Sequence, residues 1–373
     1  MLLIHISTMK IVCTQENLKN GISLVSRIVN QSLNLPILGN LLLEAGNGVL
    51  TAQATNLEQA IKTEIRCKIE DPGKLCVPAR LFSELINSFP SQNITLELVK
   101  GELVISSGKF KSKLKTLSTE EFPVLPELED SFKLQIPSKD FARALSQVIF
   151  ATSNSESQPE ITGVLLKLSQ GKLVVVATDR FRLAEKTLHV EGANQELALI
   201  VPRRTAEEFL RISQSQHSVL TVYFGDNQIA IKNNDTEVVS RVIEGQFPDY
   251  EPVIPTNFDL KVSFSREKII SALKTVSVFC GSSNTIKISI VDGNKEIVIR
   301  SLNTEFGDGE VGVDAEIDGE SMEVMFNYRY VSDMCATQDV GELEMLLISP
   351  VMPTIFKPYG SEDFRYLVMP IKS

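Results

Sequence analysis

Apolar residues recur along this chain at two periods. Alternation at every second position marks half-buried strands, and spacing of three and four marks amphipathic helices. A strand running into a helix begins at Lys10-Ile-Val-Cys-Thr-Gln-Glu-Asn-Leu. It returns at Lys133-Leu-Gln-Ile-Pro-Ser-Lys-Asp-Phe and at Lys261-Val-Ser-Phe-Ser-Arg-Glu-Lys-Ile, so the starting lysines stand 123 and 128 residues apart. Each copy holds a second such junction: Leu75-Cys-Val-Pro-Ala-Arg-Leu-Phe, Leu199-Ile-Val-Pro-Arg-Arg-Thr-Ala and, more faintly, Val324-Met-Phe-Asn-Tyr-Arg-Tyr-Val. Between the helices lie alternating strands such as 48–55 and 172–178, joined by Gly- and Asn-bearing turns of hairpin type. Strands 94–98 and 102–106 follow the second helix of the first copy. Every copy therefore predicts strand, helix and three strands, twice over, with helices at 15–30, 79–88, 138–150, 203–212, 265–279 and 328–336.

Antiparallel runs with two helices segregated to one side make an α+β layer architecture. A repeat of this length is a domain and not a solenoid unit. Turn-rich links at 125–131 and 253–258 divide the chain into an N-terminal extension, 1–8, and three domains at 9–128, 129–256 and 257–373. The extension lacks a basic leader and a small-residue cleavage site, so it does not read as a signal peptide, and translation can begin at Met9 as well as at Met1.

Composition adds that no apolar run approaches the roughly 18 residues a membrane span needs. The five cysteines, Cys13, Cys67, Cys76, Cys280 and Cys335, form no C-x-x-C pair and sit in apolar patterns, as buried thiols of a reducing cytosol do. The net charge of −10 argues against nucleic acid until it is resolved by element. The six predicted helices carry twelve cations: Lys19, Arg27, Arg80, Lys139, Arg143, Arg203, Arg204, Arg211, Arg266, Lys268, Lys274 and Arg329. Against seven acids this makes +5, leaving −15 elsewhere. One basic helix face is ordinary, but six in equivalent places suggest a surface that follows phosphates without reading bases. The scarcity of aromatic residues on these helices favours duplex over single strands.

Catalytic signatures fail their structural contexts. Gly307, Gly309 and Gly312 spell Gly-x-Gly-x-x-Gly inside a strand-rich stretch, where no helix N-terminus can receive a pyrophosphate. His5, His189 and His217 stand near no nucleophile, and the adjacent acids Glu120-Glu121 and Glu207-Glu208 do not converge from different elements. The expectation is a protein that is not an enzyme and holds no cofactor or metal.

Four strings are more specific: Leu35-Pro-Ile-Leu-Gly-Asn-Leu-Leu-Leu, Ala177-Thr-Asp-Arg-Phe-Arg-Leu-Ala, Gly245-Gln-Phe-Pro-Asp-Tyr-Glu-Pro-Val-Ile-Pro and Tyr366-Leu-Val-Met-Pro-Ile. With the threefold repeat, they resemble the bacterial sliding-clamp family, the beta subunit of DNA polymerase III, from about Met9 to the C-terminus. The resemblance implies three repeated DNA-clamp domains, each with two helices on antiparallel sheets, forming half of a closed ring that a head-to-tail homodimer completes. It implies a polymerase processivity factor of the bacterial cytoplasm, associated with the nucleoid, that encircles duplex DNA and slides on it. Its implied partners are the replicative polymerase catalytic subunit, the clamp loader and other proteins bearing a clamp-binding motif, with no membrane.

By the same resemblance, one apolar cleft at the junction of the second and third copies receives partner peptides. It would comprise Ile161, Thr178, Arg180, Phe181, Arg182, Leu183, Pro248, Val253, Val368, Met369 and Pro370. Arg180 and Phe181 stand where the family usually has a small residue and histidine, and Pro252 where a basic residue is frequent. Lys109, Lys111, Lys113 and Lys115 alternate along one predicted strand and share a face, which on an edge strand commonly blocks unwanted pairing. The resemblance instead sets this edge, Lys109 and Lys111 included, against the third domain of a second chain. There Val278 and Phe279 would give apolar contact, and Glu296 or Glu305 ionic partners. The alternative function is a repeat-built protein-interaction scaffold without DNA encirclement.

Overall fold

The computed structural model describes residues 9–29, 35–124, 131–193, 195–214, 219–303 and 307–372. His5, His217 and Glu305 lie outside them. The first copy runs β1 (Lys10–Thr14), α1 (Gln15–Val25), β2 (Asn40–Gly46), β3 (Val49–Thr55), β4 (Gln59–Arg66), β5 (Lys68–Asp71), β6 (Gly73–Pro78), α2 (Ala79–Ser88), β7 (Asn93–Val99), β8 (Glu102–Ser107) and β9 (Phe110–Lys115). The second runs β10 (Phe132–Pro137), α3 (Ser138–Val148), β11 (Gly163–Ser169), β12 (Lys172–Thr178), β13 (Arg182–His189), β14 (Leu197–Pro202), α4 (Arg203–Gln214), β15 (Val219–Phe224), β16 (Gln228–Lys232) and β17 (Thr236–Arg241). The third runs β18 (Leu260–Ser265), α5 (Arg266–Ser277), β19 (Thr285–Ile290), β20 (Glu296–Asn303), β21 (Gly307–Gly319), β22 (Met322–Asn327), α6 (Tyr328–Thr337), β23 (Glu342–Leu347), β24 (Thr354–Pro358) and β25 (Phe364–Val368).

The doubled order expected from the sequence holds in the second and third copies, and the first adds only the short β5. Local chemistry explains the junctions. The Thr14 and Ser265 hydroxyls accept from the third backbone N–H beyond them, and the Asn327 side chain caps α6. Pro78 and Pro137 stand at the N-cap of α2 and α3. Hairpins turn where both central residues take positive φ, at Asn47-Gly48, Lys100-Gly101 and Gln170-Gly171. Helix α1 ends at Val25, short of the expected 30, and a 3-10 turn follows over Ser26–Ile28.

Each helix buries one stripe on its sheet: Leu18, Ile22 and Val25 of α1, Phe82 and Ile86 of α2, Ile269, Leu273 and Val276 of α5. Phe141 of α3 and Phe209 of α4 meet with ring centroids 6.5 Å apart.

The chain packs as two compact units, Met1–Ile136 with Ser218–Arg241, and Pro137–His217 with Val242–Ser373. The division follows the sheets. In the first unit β5-β1-β7-β8-β9 form one sheet and β10-β15-β16-β17-β4-β3-β2-β6 another. In the second, β14-β11-β12-β13-β25-β24-β23-β18-β21-β20-β19-β22 form a single twelve-stranded sheet. Consecutive copies are thus joined edge to edge by antiparallel pairing. Strand β17 of the second meets β4 of the first, with Val238 opposite Ile61, and β25 of the third meets β13 of the second, with Leu367 opposite Leu183.

Candidate functional site

The β13–β25 seam brings Thr178, Phe181, Arg182, Leu183, Val368 and Met369 of the expected cleft residues together inside the second unit. Strand β12 ends at Thr178, whose hydroxyl donates to the Arg182 carbonyl at 2.7 Å and accepts from the Arg180 N–H at 3.1 Å. The Asp179 carboxylate accepts from the Phe181 and Arg182 N–H groups, both at 3.0 Å. These bonds hold Arg180 at φ 78°, a left-handed conformation that disfavours a side chain by about 1–2 kcal/mol. A residue without a Cβ would take up that conformation at no such cost. Beyond the seam, the Met369 N–H donates to the Phe181 carbonyl at 2.8 Å and the Ile371 N–H to the Met325 carbonyl, so the C-terminal strand is tied down on both sides of Pro370.

Arg182 is the best-anchored side chain here. Its guanidinium donates to Asp179 at 3.0 Å, to Asp333 at 2.7 Å and to the Phe150 carbonyl at 2.9 Å, and lies 4.5 Å from the Tyr330 ring centroid. Burial opposes the charge, yet Tyr366, Asp333 and Asp179 together raise its pKa above the ordinary value. Tyr366, fully buried, is pushed well above its usual value by desolvation and donates its hydroxyl hydrogen to the Tyr330 carbonyl at 3.0 Å.

The apolar floor consists of Leu165, Val176, Leu183, Ile200, Tyr250 and Leu367, with Phe247, Ile254 and Met369 packed against it. A pocket of about 410 Å³ opens beside it, lined by Leu165, Ile200, Phe247, Pro248 and Tyr250 among others. Phe181 and Val253 are the half-open apolar side chains, at 61% and 50% exposure. Ile161, Thr178, Leu183 and Val368 are buried and supply support more than contact area. Phe247, Tyr250, Ile254, Asp179, Asp333 and Tyr330 escaped the sequence reading. The first three sit in or beside the Phe-Pro-Asp-Tyr string. Asp333 had no local signal, because it is 151 residues from Arg182.

The helical cations fall into two groups. Arg80, Arg203, Arg211 and Lys268 are committed to Glu84, Glu207, Glu208 and Asp314, and Arg266 donates to the Cys335 carbonyl at 2.8 Å. Lys19, Arg27, Lys139, Arg143, Arg204, Lys274 and Arg329 are exposed and in no ion pair among the described residues.

Strand β9 is a sheet edge, bonded only to β8 among the described strands. Lys111, Lys113 and Lys115 lie on it, while Lys109 belongs to the preceding turn. Strand β21 is paired with β20 over Gly307–Asp314 and with β18 only from Ala315, which leaves Gly307–Asp314 open on one side among the described strands. That open stretch carries Asp308, Glu310 and Asp314, and beside it the Phe279 ring fills the space a side chain at Gly309 would take. Val278 is 75% exposed, and Glu296 lies on β20, one strand in from the edge. The Gly307, Gly309 and Gly312 string lies within β21, with no helix opening after it.

Three family models, the N-terminal, central and C-terminal domains of the DNA polymerase III beta subunit, match residues 9–126, 135–249 and 251–372. The Beta sliding clamp of Synechococcus elongatus is 31% identical over 98% of this chain and 99% of its own length, and that of Chlamydia muridarum 31% over 87% and 89%. Among solved structures, the Thermotoga maritima DNA polymerase III beta subunit superposes with a TM-score of 0.91 at 27% identity, covering 98% of this chain and all of that one. A Pseudomonas aeruginosa sliding clamp bound to griselimycin gives 0.93 at 26%, with the same coverage. The chain belongs to the DNA polymerase III beta subunit family, the bacterial sliding clamps.

Proposed function

We propose that this protein is the processivity factor of a bacterial DNA polymerase: a homodimeric ring that encircles duplex DNA and tethers the polymerase through the β13–β25 cleft. The observation that carries the ring is the repeated seam. Each copy offers its last strand to the copy before it, β17 to β4 and β25 to β13. Two equivalent edges are then left over, basic β9 in the first copy and the acidic open stretch of β21 in the third. Two chains meeting head to tail through those edges close without a free end.

Within that ring the copies bounded at 9–128, 129–256 and 257–373 act as six similar units. The free cations Lys19, Arg27, Lys139, Arg143, Arg204, Lys274 and Arg329 attract phosphates weakly and without sequence preference. The ring does no chemistry of its own and works in the bacterial cytoplasm, on the nucleoid. The replicative polymerase, the clamp loader and other proteins with short clamp-binding peptides share the cleft. Phe181, Val253 and Met369 give it adaptable apolar contacts, and the Arg182 anchorage keeps it in one shape.

Phe279→Asp, and separately Lys111→Glu with Lys113→Glu, are expected to sediment as monomers in analytical ultracentrifugation at concentrations where the parent chain is dimeric. A parent chain that sediments as a monomer, or a Phe279→Asp chain that stays dimeric, would contradict the closure through β9 and β21.

A further inference from the structure

The turn that frames the cleft is built a second time in the first unit. Between β3 and β4 the Thr55 hydroxyl donates to the Gln59 carbonyl at 2.8 Å and accepts from the Leu57 N–H at 3.1 Å. The Asn56 side-chain oxygen accepts from the Glu58 and Gln59 N–H groups at 3.0 and 2.8 Å. Leu57 takes φ 74°, as Arg180 takes 78°. The Arg241 N–H donates to the Glu58 carbonyl at 2.9 Å, as the Met369 N–H does to Phe181 at 2.8 Å. Even the Phe-Pro step is repeated: Phe122 is buried with Ile37, Leu38 and Cys76, and Pro123 follows it as Pro248 follows Phe247.

This scaffold surrounds a pocket of about 700 Å³, lined by Leu57, Glu58, Pro123, Val124, Gln228 and Arg241 among others. Leu57 and Val124, both in its lining, are 50% and 95% exposed and offer apolar surface to a ligand. Gln228 lines the pocket as well, and its Oε1 atom is buried with no hydrogen-bond partner among the described residues. Arg241 and Glu58 are exposed and in no ion pair among the described residues.

We propose that this pocket is a second docking cleft, which takes a short extended peptide of a partner protein bearing an aliphatic side chain beside a single acidic one. The aliphatic group covers Leu57 and Val124, and the carboxylate meets Arg241. Glu58 repels a second acid. Gln59 and Ser240 are already paired across the β4–β17 seam, so the peptide lies on the turn and does not add a strand. Where the β13–β25 cleft presents Arg180 and Phe181, this one presents Leu57 and Glu58, so the two select different peptides.

The inference rests on reading the β13–β25 turn as a peptide cleft, and its test separates the two. The probe is a fluorescein-labelled peptide, Gly-Leu-Leu-Asp-Gly, with a photoreactive leucine analogue at its centre, used on the full-length chain and mapped by mass spectrometry. Crosslinks are expected at Leu57 to Gln59 and around Val124. Leu57→Asp with Arg241→Glu should weaken binding there at least about tenfold and abolish the crosslinks, while Met369→Asp leaves them unchanged. Replacing the peptide's Asp by Asn should weaken binding similarly, and this holds even if the double variant does not fold. Crosslinks confined to the surroundings of Met369 and Phe181 would overturn the second cleft and leave the first standing. Crosslinks at neither place would overturn both readings, and crosslinks at Leu57 indifferent to all these changes would overturn the chemistry assigned.

Discussion

Arg182 is 12% exposed, yet it is satisfied by two carboxylates, a backbone carbonyl and an aromatic face. Removing one member of such a network leaves the others desolvated and unpaired, which costs more than the network itself contributes. Arg182→Ala is therefore expected to lower the unfolding free energy by about 3 kcal/mol in urea titration, whereas Asp333→Asn, at a carboxylate 44% exposed, should cost about 1 kcal/mol or less. Equal effects would show that Asp333 carries the network and that Asp179 and the aromatic rings add little.

Burial pushes the Cys335 thiol up from 9.0 to about 12, so the folded chain keeps a proton that the unfolded chain releases. Because the folded pKa is the raised one, the stability it contributes is complete below pH 9 and is lost as pH rises toward 12. Between pH 8 and 10 the parent chain should lose about 1.4 kcal/mol more than Cys335→Ala. Identical pH dependence in the two would show that the thiol is hydrated in the folded state.

At this scale the sequence was informative about identity and silent about partnership. Thr178, Arg182 and Met369 were legible because their strings are local. The clamping of Arg182 by Asp333 and Tyr330 was not, since a side-chain pair closed across the sheet leaves no periodic trace.

The helices followed their apolar stripes closely, and α2 runs over Ala79–Ser88 as expected. The largest departures are the end of α1 and the extra β5, where a 3-10 turn and a four-residue strand carry too few residues for a period to register, while α3, α4 and α5 end within two residues of expectation. What the helical pattern could not reveal is which cations are already spent on neighbouring acids. Charge reversal at Lys139 and Arg143 together should weaken duplex binding and reduce the salt dependence of log K by about 0.9 for each phosphate no longer neutralised. The same reversal at Arg80, bound to Glu84 at 2.9 Å, should change it far less. Equal losses at paired and unpaired positions, read from filter binding at several salt concentrations, would count against the division drawn here.

At the scale of the whole molecule, the repeat was legible from three strand-to-helix junctions, but the way the copies join was not. Edge-to-edge pairing at β4–β17 and β13–β25 is set by backbone hydrogen bonds between segments more than a hundred residues apart, which hydrophobic alternation does not encode. The same pairing assigns the last three strands of the second copy to the first compact unit. It also leaves β9 and the Gly307–Asp314 stretch of β21 each open on one side among the described strands, one lysine-rich and one acidic. A ring closed there holds DNA by linkage and needs little affinity.

The most direct measurement is retention on DNA by the chain loaded onto nicked circular plasmid, followed by gel filtration in about 0.2 M salt, a concentration at which phosphate contacts alone are weak. The account predicts that the protein co-elutes with the closed circle and is released when a single restriction cut linearises it. Release from the intact circle, or equal retention on circle and line, would contradict encirclement.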